Sequence, residues 1–333
     1  KRIKFTTKFF VYTFVGSLFM LIGLIYVYNQ SASFALTDLY NATLNTNEQT
    51  VIFWFIFFAF AVKLPVFPFH TWQPDTYTYS PTQGSMLLSG IMLKMAVYGV
   101  LRYLLPITPL AIGGISGAIV IILSGALIAT ISTDSKRLIA FSSLSHVGLI
   151  VAGIFASADV MLRTELTFVG GQGAMVQSFA HGINLVGLFY CADILYKRFK
   201  TRDIRKMGGL AKVAPKFAIL FMIILLGATG VPLTNGFIGE FILLKSVFAY
   251  NYIMAVLAGL TLILCAAYML RFYGKTMFGK GDEAVLATTK DISSVEFSVL
   301  ASLAVFVIAL GVYPQPIIEM VSNSLVFIYK SML

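Results

Sequence analysis

Long apolar runs recur along the chain, and each has about the length that crosses a lipid bilayer. A membrane-spanning helix needs about 20 consecutive, mostly apolar residues. Hydrophobic residues make up 58% of the 333 residues and charged residues only 11%, a mixture far from that of a soluble domain. The chain is therefore predicted to be an all-α polytopic membrane protein. Apolar runs and their breakers predict nine transmembrane helices, near residues 9–28, 49–69, 82–104, 111–131, 138–156, 166–196, 213–249, 252–273 and 295–313.

The net charge of +10 could indicate a nucleic-acid partner, but its distribution favours a membrane protein. Basic residues precede the first span, at Lys1, Arg2, Lys4 and Lys8, and they recur in the block 197–206. Cytoplasmic loops of membrane proteins carry such an excess of Lys and Arg. We therefore expect a cytoplasmic N-terminal segment, cytoplasmic basic loops and no nucleic-acid partner.

The placement of Cys and His residues argues against a metal site. Cys191 and Cys265 both lie inside apolar segments, which predicts small buried side chains rather than a disulfide framework. The two histidines inside predicted spans have no cluster of Cys, Asp or Glu beside them in the sequence. No metal is therefore expected in this chain.

Two of the predicted spans contain residues that interrupt a helix. The second carries Lys63-Leu-Pro65-Val-Phe-Pro68, and the seventh carries a Gly- and Pro-rich stretch over 227–236. Unwound backbone at membrane depth is tolerated only inside protein or facing water. Each break lies beside an ionisable residue, Lys63 or Glu240. Paired broken helices are typical of an internally repeated transporter with its site at the breaks, although a proline kink can also serve packing alone.

Ionisable side chains within the predicted spans are the strongest indication of function. A charge at the bilayer centre costs about 2.5–3.5 kcal/mol on insertion scales, so it is a functional hypothesis by default. Several such groups on separate helices suggest a path for protons or cations, although Lys63 and Lys245 could instead extend to the membrane interface. The six candidates are Lys63, Lys94, His146, His181, Glu240 and, as a possible accessory only, Lys245.

Lys94 is the strongest single candidate because it lies at the centre of its predicted helix. Gly90, Tyr98 and Arg102 stand at four-residue steps from it and complete a polar stripe on one face. A buried lysine whose charge can be switched by a neighbour can carry protons, whereas a static ion pair is the structural alternative. We predict that Lys94 is a proton relay and that Tyr98 is a possible accessory.

His181 shares a second polar stripe with Gln177 and Asn184 on one helix face. Histidine titrates near neutrality, so this face suits a hydrated proton wire, but a lone His can also be a hydrogen-bonded core residue. His146 follows a serine-rich stretch over 142–145 and could either line the same wire or simply bond to those serines. We predict both histidines to take part, with Gln177 and Asn184 as accessories.

Polar residues also follow the breaks. Glu240 comes a few residues after the second break, where a buried carboxylate can load and release a proton. His70, Trp72 and Asp75 follow the first break, and we expect them in a short cytoplasmic connection that they cap and anchor. Glu240 is therefore predicted to act, and the other three to be structural.

Several long motifs in the chain match those of a known family of membrane proteins. They are Lys63-Leu-Pro-Val-Phe-Pro-Phe-His-Thr-Trp-Gln-Pro-Asp75, Pro81-Thr-Gln-Gly-Ser85, Leu93-Lys-Met-Ala-Val-Tyr-Gly99, Asp134-Ser-Lys-Arg-Leu-Ile-Ala-Phe-Ser-Ser-Leu-Ser-His146, Ala180-His-Gly182, Thr201-Arg-Asp-Ile-Arg-Lys-Met-Gly-Gly-Leu210 and Gly236-Phe-Ile-Gly-Glu240. They resemble the antiporter-type subunits of respiratory complex I over nearly the whole chain. Within this family the chain is most similar to the branch called subunit M, the counterpart of mitochondrial subunit 4, because related subunits place a lysine at the position of Glu240.

The resemblance implies a fold of fourteen helices with two inverted five-helix repeats, each containing one broken helix. The chain would hold the last nine of these helices and lack the first five. Residues 1–104 would then contain the end of the first repeat, residues 111–273 the second repeat, and residues 274–333 a C-terminal helix and tail.

The resemblance also implies a role for each candidate residue. Lys63 would pair with a carboxylate on a preceding helix that this chain lacks, and Lys94 would be the central relay. His146 and His181 would form a hydrated axis, and Glu240 would be the terminal proton carrier.

The function implied by the resemblance is proton translocation within NADH:quinone oxidoreductase, without redox chemistry in this chain. The sequence contains no P-loop, dinucleotide fingerprint or cysteine cluster, so NADH, FMN, iron–sulfur clusters and quinone would belong to partner subunits. Expected partners are the other membrane and hydrophilic subunits of complex I, especially sister antiporter-like subunits, in a bacterial inner membrane. The alternatives are a subunit of a multi-subunit Na⁺/H⁺ antiporter and a membrane scaffold, which the cost of buried charges disfavours.

Overall fold

The computed structural model describes residues 2–109, 129–163 and 168–332. The secondary structure of these residues consists of helices and contains no β-sheet. The predicted span 111–131 lies almost wholly outside these residues. Short helical turns at 204–206 and 210–213 are left unnumbered. The numbered helices are α1 (Arg2–Ser31), α2 (Leu36–Tyr40), α3 (Thr46–Lys63), α4 (Trp72–Tyr79), α5 (Thr82–Ile107), α6 (Ser135–Arg163), α7 (Val169–Phe199), α8 (Pro215–Ala228), α9 (Asn235–Tyr250), α10 (Tyr252–Met277), α11 (Glu283–Thr288), α12 (Ser294–Val312) and α13 (Gln315–Lys330).

Long apolar helices dominate the described part of the chain. Six of them are long and apolar enough to cross a membrane, namely α1, α5, α6, α7, α10 and α12. The predicted span 49–69 corresponds to α3 and the break after it, and the predicted span 213–249 corresponds to α8 and α9. The all-α membrane class is therefore confirmed, and the count of nine transmembrane helices stays a prediction.

Helix α6 lies at the centre of the molecule. The most apolar part of α6 is completely buried, whereas only 17% of the corresponding part of α1 and 22% of that of α12 is buried. Helices α4, α7, α9 and α10 surround α6. Where α7 and α9 cross, a Cβ added at Gly239 would lie 2.7 Å from the Gln177 Cα, so only glycine allows this close approach. Because α7 and α9 cross closely beside α6, polar side chains of these three helices are in contact.

The first break separates α3 from α4 over residues 64–71. Val66 donates its N–H to the Ala61 carbonyl, and the Val62 carbonyl accepts the indole N–H of Trp72 at 2.8 Å. The prediction that the residues after the break form only a connection is wrong, because Trp72–Tyr79 is helical and mostly buried against α1 and α6. Its polar composition hides this helix from a search for apolar runs.

The second break separates α8 from α9 over residues 229–234. Pro232 cannot donate a backbone hydrogen bond, and Gly230 has a φ of +65°, a conformation that side chains with a Cβ rarely adopt. Gly236 packs so closely on the Gly227 carbonyl that a Cβ there would lie 2.1 Å from it. The break is therefore compact, and it returns the chain to a helix that carries Glu240 into the centre.

Candidate functional site

Four ionisable side chains from four helices form a row through the centre of the molecule. Lys94 comes from α5, His181 from α7, His146 from α6 and Glu240 from α9. The first two and the last two are in direct contact, and the two histidines are neighbours. All four were predicted singly from the sequence, and the structure brings them together.

Lys94 forms one end of this row. Its Nζ lies 2.9 Å from His181 Nδ1 and donates to the Ser89 carbonyl at 2.5 Å. Ser89 belongs to a π-helical turn at Leu88–Met92, a feature that often marks functional positions in helices. The lysine is half-buried at the wall of a mostly apolar groove of about 1070 Å³ between α1, α5 and α7. Gly90 and Tyr98 line the same groove, as the predicted stripe requires.

Glu240 forms the other end. Its Oε1 lies 2.8 Å from His146 Nδ1 and accepts a hydrogen bond from Gln177 Nε2 at 3.0 Å. Only 2% of Glu240 is exposed. A buried carboxylate needs such partners because desolvation penalises its charge. When His146 is protonated, this contact is an ion pair, and when it is neutral, the contact is a hydrogen bond.

The two histidines face each other across the middle of the row. Their ring centroids are 5.8 Å apart, and beside them lies a cavity of about 10 Å³ that Gln177 and Asn184 also line. This is close to the smallest volume that holds one water molecule. Within the described part of the chain, His181 Nε2, Gln177 Oε1 and Asn184 Oδ1 are buried without a hydrogen-bond partner. The arrangement would suit a bridging water.

Three predicted residues lie away from the row. Lys63 is half-buried at the end of α3 and contacts no hydrogen-bonding or charged partner among the residues described here. Tyr98 is 50% exposed in the groove, and Lys245 is exposed on the outer surface of α9. Of the four predicted accessories, Gln177 contacts Glu240, and Asn184 donates to Asn235 Oδ1 at 3.0 Å.

Sequence reasoning missed the contribution of α10. Cys265, predicted only as a small buried residue, places its Sγ 3.5 Å from His146 Nε2. One turn further, the Tyr268 hydroxyl lies 3.0 Å from Ser142 Oγ. Both residues look apolar in context, and the helices that meet here are more than a hundred residues apart in sequence, so no local pattern indicated the contact.

Comparison with known proteins identifies the family of the chain. A family described as NADH:quinone oxidoreductase/Mrp antiporter, TM, matches residues 1–266. The chain belongs to this family. It is 39% identical over 330 residues to NADH-quinone oxidoreductase subunit M of Rickettsia conorii, 37% over 338 residues to that of Pseudomonas aeruginosa, and 36% over 321 residues to NADH-ubiquinone oxidoreductase chain 4 of Chondrus crispus. These matches cover 95–97% of this chain but only 63–65% of each relative, so the chain spans less than two thirds of the curated relatives' length.

Solved structures give the same result. Respiratory complex I from Thermus thermophilus with bound NADH contains a chain that is 29% identical, with a TM-score of 0.91, and the match covers 99% of this chain and 70% of that one. The Mrp complex from Dietzia sp. contains a chain with a TM-score of 0.85 over the same shares at 19% identity, which indicates a common fold only. The predicted resemblance to antiporter-type subunits of complex I is thus confirmed.

Proposed function

We propose that this chain translocates protons as a membrane subunit of a respiratory NADH:quinone oxidoreductase. The observation that carries the proposal is the row of ionisable groups from the half-buried Lys94 through the buried His181 and His146 to the buried Glu240. Buried ionisable groups in a membrane are costly, so a contiguous row of them has a function as its best explanation. The relatives named subunit M, at 39% and 37% identity, support the same assignment.

A proton can pass along the row in three steps. Lys94 Nζ gives a proton to His181 Nδ1 across 2.9 Å, and a water in the small cavity carries it from His181 to His146. His146 Nδ1 then passes it to Glu240 Oε1 across 2.8 Å. Because two like charges repel strongly in a medium of low dielectric constant, the row holds one extra proton at a time. A new positive charge at one end therefore drives the previous proton toward the other.

Lys63 is proposed to control this row rather than to belong to it. It lies at the first break, away from the four groups in contact. A charge at this position acts through the electric field at Lys94, and we propose that a carboxylate from outside the described residues pairs with it. Lys245 and Tyr98 are proposed accessories at most, since one is exposed and the other lines the groove.

The source of energy is proposed to lie in partner subunits. NADH, FMN, iron–sulfur clusters and quinone would be bound by the hydrophilic and membrane subunits beside this chain, and this chain would carry no redox centre. In the part of the chain that the structure describes, no group of three or more His, Cys, Asp or Glu side chains could hold a metal ion. We place the chain in a bacterial inner membrane with its basic loops in the cytoplasm.

The test measures NADH-driven proton uptake by membrane vesicles that contain the whole complex. Lys94→Ala and Glu240→Gln should each abolish uptake while the complex still assembles. Lys94→Arg should fail as well, because arginine does not release its proton at physiological pH. Glu319→Gln, at an exposed carboxylate on α13, is the matched control.

Two outcomes would contradict the proposal. Normal uptake in both Lys94→Ala and Glu240→Gln would show that the row is structural. Proton uptake that requires a sodium gradient and no electron donor would favour the antiporter alternative instead. Purification of the chain together with iron–sulfur subunits would favour the proposed function.

A further inference from the structure

Cys265 on α10 lies at the contact between the central row and the second break. Its Sγ is 3.5 Å from His146 Nε2 and also 3.5 Å from the Ala228 carbonyl oxygen. The residue is 1% exposed. Both distances suit the weak hydrogen bonds of a thiol, which has one proton to donate and a sulfur that accepts. One donor therefore faces two acceptors.

The Ala228 carbonyl needs a donor because the helix breaks there. In a continuous helix it would accept the N–H of the residue four positions later, which is Pro232 and has none. A buried carbonyl without a partner costs free energy comparable to a lost hydrogen bond. The thiol of Cys265 is the group that can satisfy it.

His146 Nε2 can accept the thiol proton of Cys265 in only one protonation state of the imidazole ring. Nδ1 faces the Glu240 carboxylate at 2.8 Å, so Nδ1 carries a proton in the neutral ring and Nε2 is an acceptor. In the protonated ring Nε2 also carries a proton and becomes a donor. The thiol must then turn its own proton elsewhere, and its sulfur can accept from Nε2.

We propose that Cys265 is a positioning residue whose S–H turns from His146 to the Ala228 carbonyl each time His146 gains a proton. This inference rests on the proposed function. No bond to sulfur breaks, because only the C–S torsion rotates. The rotation links the protonation state of the central row to the end of α8. The hydrogen bond between Tyr268 and Ser142 holds α10 against α6 and so keeps the thiol in place.

The first experiment compares variants of Cys265 within the whole complex. Cys265→Val removes the donor at similar volume. It should lower NADH-driven proton uptake roughly two- to tenfold, the factor that corresponds to the net free energy of one neutral hydrogen bond. Cys265→Ser keeps a donor and should retain most of the uptake. Cys191→Val is the control, because Cys191 is equally buried but lies outside the row. NADH oxidation is measured in parallel to normalise the amount of assembled complex.

The pH profile separates positioning from packing. His146 is faced by Glu240 from α9, by His181 and Gln177 from α7, and by Cys265 from α10. Removing only the thiol leaves the other three in place, so a shift of the pH profile of uptake in Cys265→Val reports the lost partner of His146. A loss of uptake with an unshifted profile would indicate a packing role and would contradict the inference.

An infrared measurement tests the rotation itself. The S–H stretching band of Cys265 is isolated as the difference between the wild type and Cys265→Ser, which keeps the local fold. It should move between two positions as the pH changes and should stay at one position in His146→Gln. A band that does not move with pH overturns the inference. If Cys265→Val pumps normally while Glu240→Gln does not, only this inference fails; if both pump normally, the proposed function fails too.

Discussion

The break after α3 and the break after α8 leave the same kind of backbone group without its helical donor. At the first break, the Val62 carbonyl accepts the indole N–H of Trp72. At the second break, the Ala228 carbonyl faces the thiol of Cys265. An indole holds its proton in the ring plane, whereas a thiol proton rotates freely about its bond. The first break is therefore fixed by its own chain segment, and the second can respond to a neighbouring helix.

The charged residues at the two breaks also differ, in their burial and in the side chains that hold them. Glu240 is almost completely buried and is held by His146 and Gln177. Lys63 is half-buried and has no such contacts within the described ranges. The second break thus combines a donor that can rotate with a network of polar side chains around Glu240. We expect changes there to affect proton uptake, and loss of the backbone hydrogen bond at the first break to affect mainly stability.

The largest effect is expected from Gly230→Ala at the second break. A Cβ at this position would lie 2.1 Å from Glu240 Oε2, and the φ of +65° adds a cost of about 1–2 kcal/mol for a residue other than glycine. The carboxylate must shift, which disturbs its 2.8 Å contact with His146, so NADH-driven proton uptake should fall to background. Gly259→Ala is the control, because nothing lies within 4 Å of its added Cβ. Normal uptake in Gly230→Ala would mean that the position of the carboxylate does not matter.

A smaller loss is expected from Gln177→Leu. The substitution removes the amide that donates to Glu240 Oε1 at 3.0 Å, and a hydrogen bond to a charged group is worth about 1.5–3 kcal/mol. Proton uptake should therefore fall at least roughly tenfold, with the complex still assembled. Gln172→Leu, near the start of the same helix but bonded to Ser322 instead of Glu240, should leave uptake unchanged. Equal losses in the two variants would point to a general packing defect of α7.

At the first break, Trp72→Phe should change stability more than function. It keeps an aromatic ring against Phe9 but removes the donor to the Val62 carbonyl, at a cost of about 1 kcal/mol. The thermal unfolding midpoint of the purified chain in detergent should fall, while proton uptake at moderate temperature should stay near that of the wild type. Trp54→Phe at an exposed position is the control. Abolished uptake with unchanged stability would reverse the comparison between the two breaks.

The sequence predicted the members of the central row but not the contacts between them. Charged residues in apolar helices are visible because they are rare and costly there. A single sequence does not show how each helix is rotated about its own axis relative to its neighbours. For this reason the sequence does not show which of the two histidines contacts Glu240, and the structure places His146 there.

Two further differences have local physical causes. Helix α4 was missed because its buried surface carries polar side chains such as Gln73, Thr76 and Thr78, so apolar periodicity could not indicate it. Three members of the predicted stripe, Gly90, Lys94 and Tyr98, line the same groove, whereas the fourth, Arg102, is not among the described residues that line it. Tyr98 on that face is, however, half-exposed. The π-helical turns of α5 change how the residues after them are rotated about the helix axis, which four-residue spacing does not show.

The smallest effect is expected in the connection between α7 and α8, which contacts the helix after the first break. Arg202 donates to the Thr78 carbonyl of α4, and Ile204 donates to the Thr133 carbonyl just before α6. Asp203 stands between them, and hydrogen bonds from Arg205 lower the pKa of its carboxyl group to about 2.

A carboxyl group whose pKa is lowered by folding stabilises the protein above its unfolded pKa, here 3.8, and loses that contribution as the pH falls toward 2. Because the ion pair is largely exposed, its worth is only about 0.2–1 kcal/mol. Between pH 3.8 and 2, the wild type should therefore lose slightly more thermal stability than Asp203→Asn, measured on the purified chain in detergent. Proton uptake near neutral pH should be the same in both, because this connection lies outside the row. A loss of uptake in Asp203→Asn at unchanged stability would instead place this loop on the path by which protons enter.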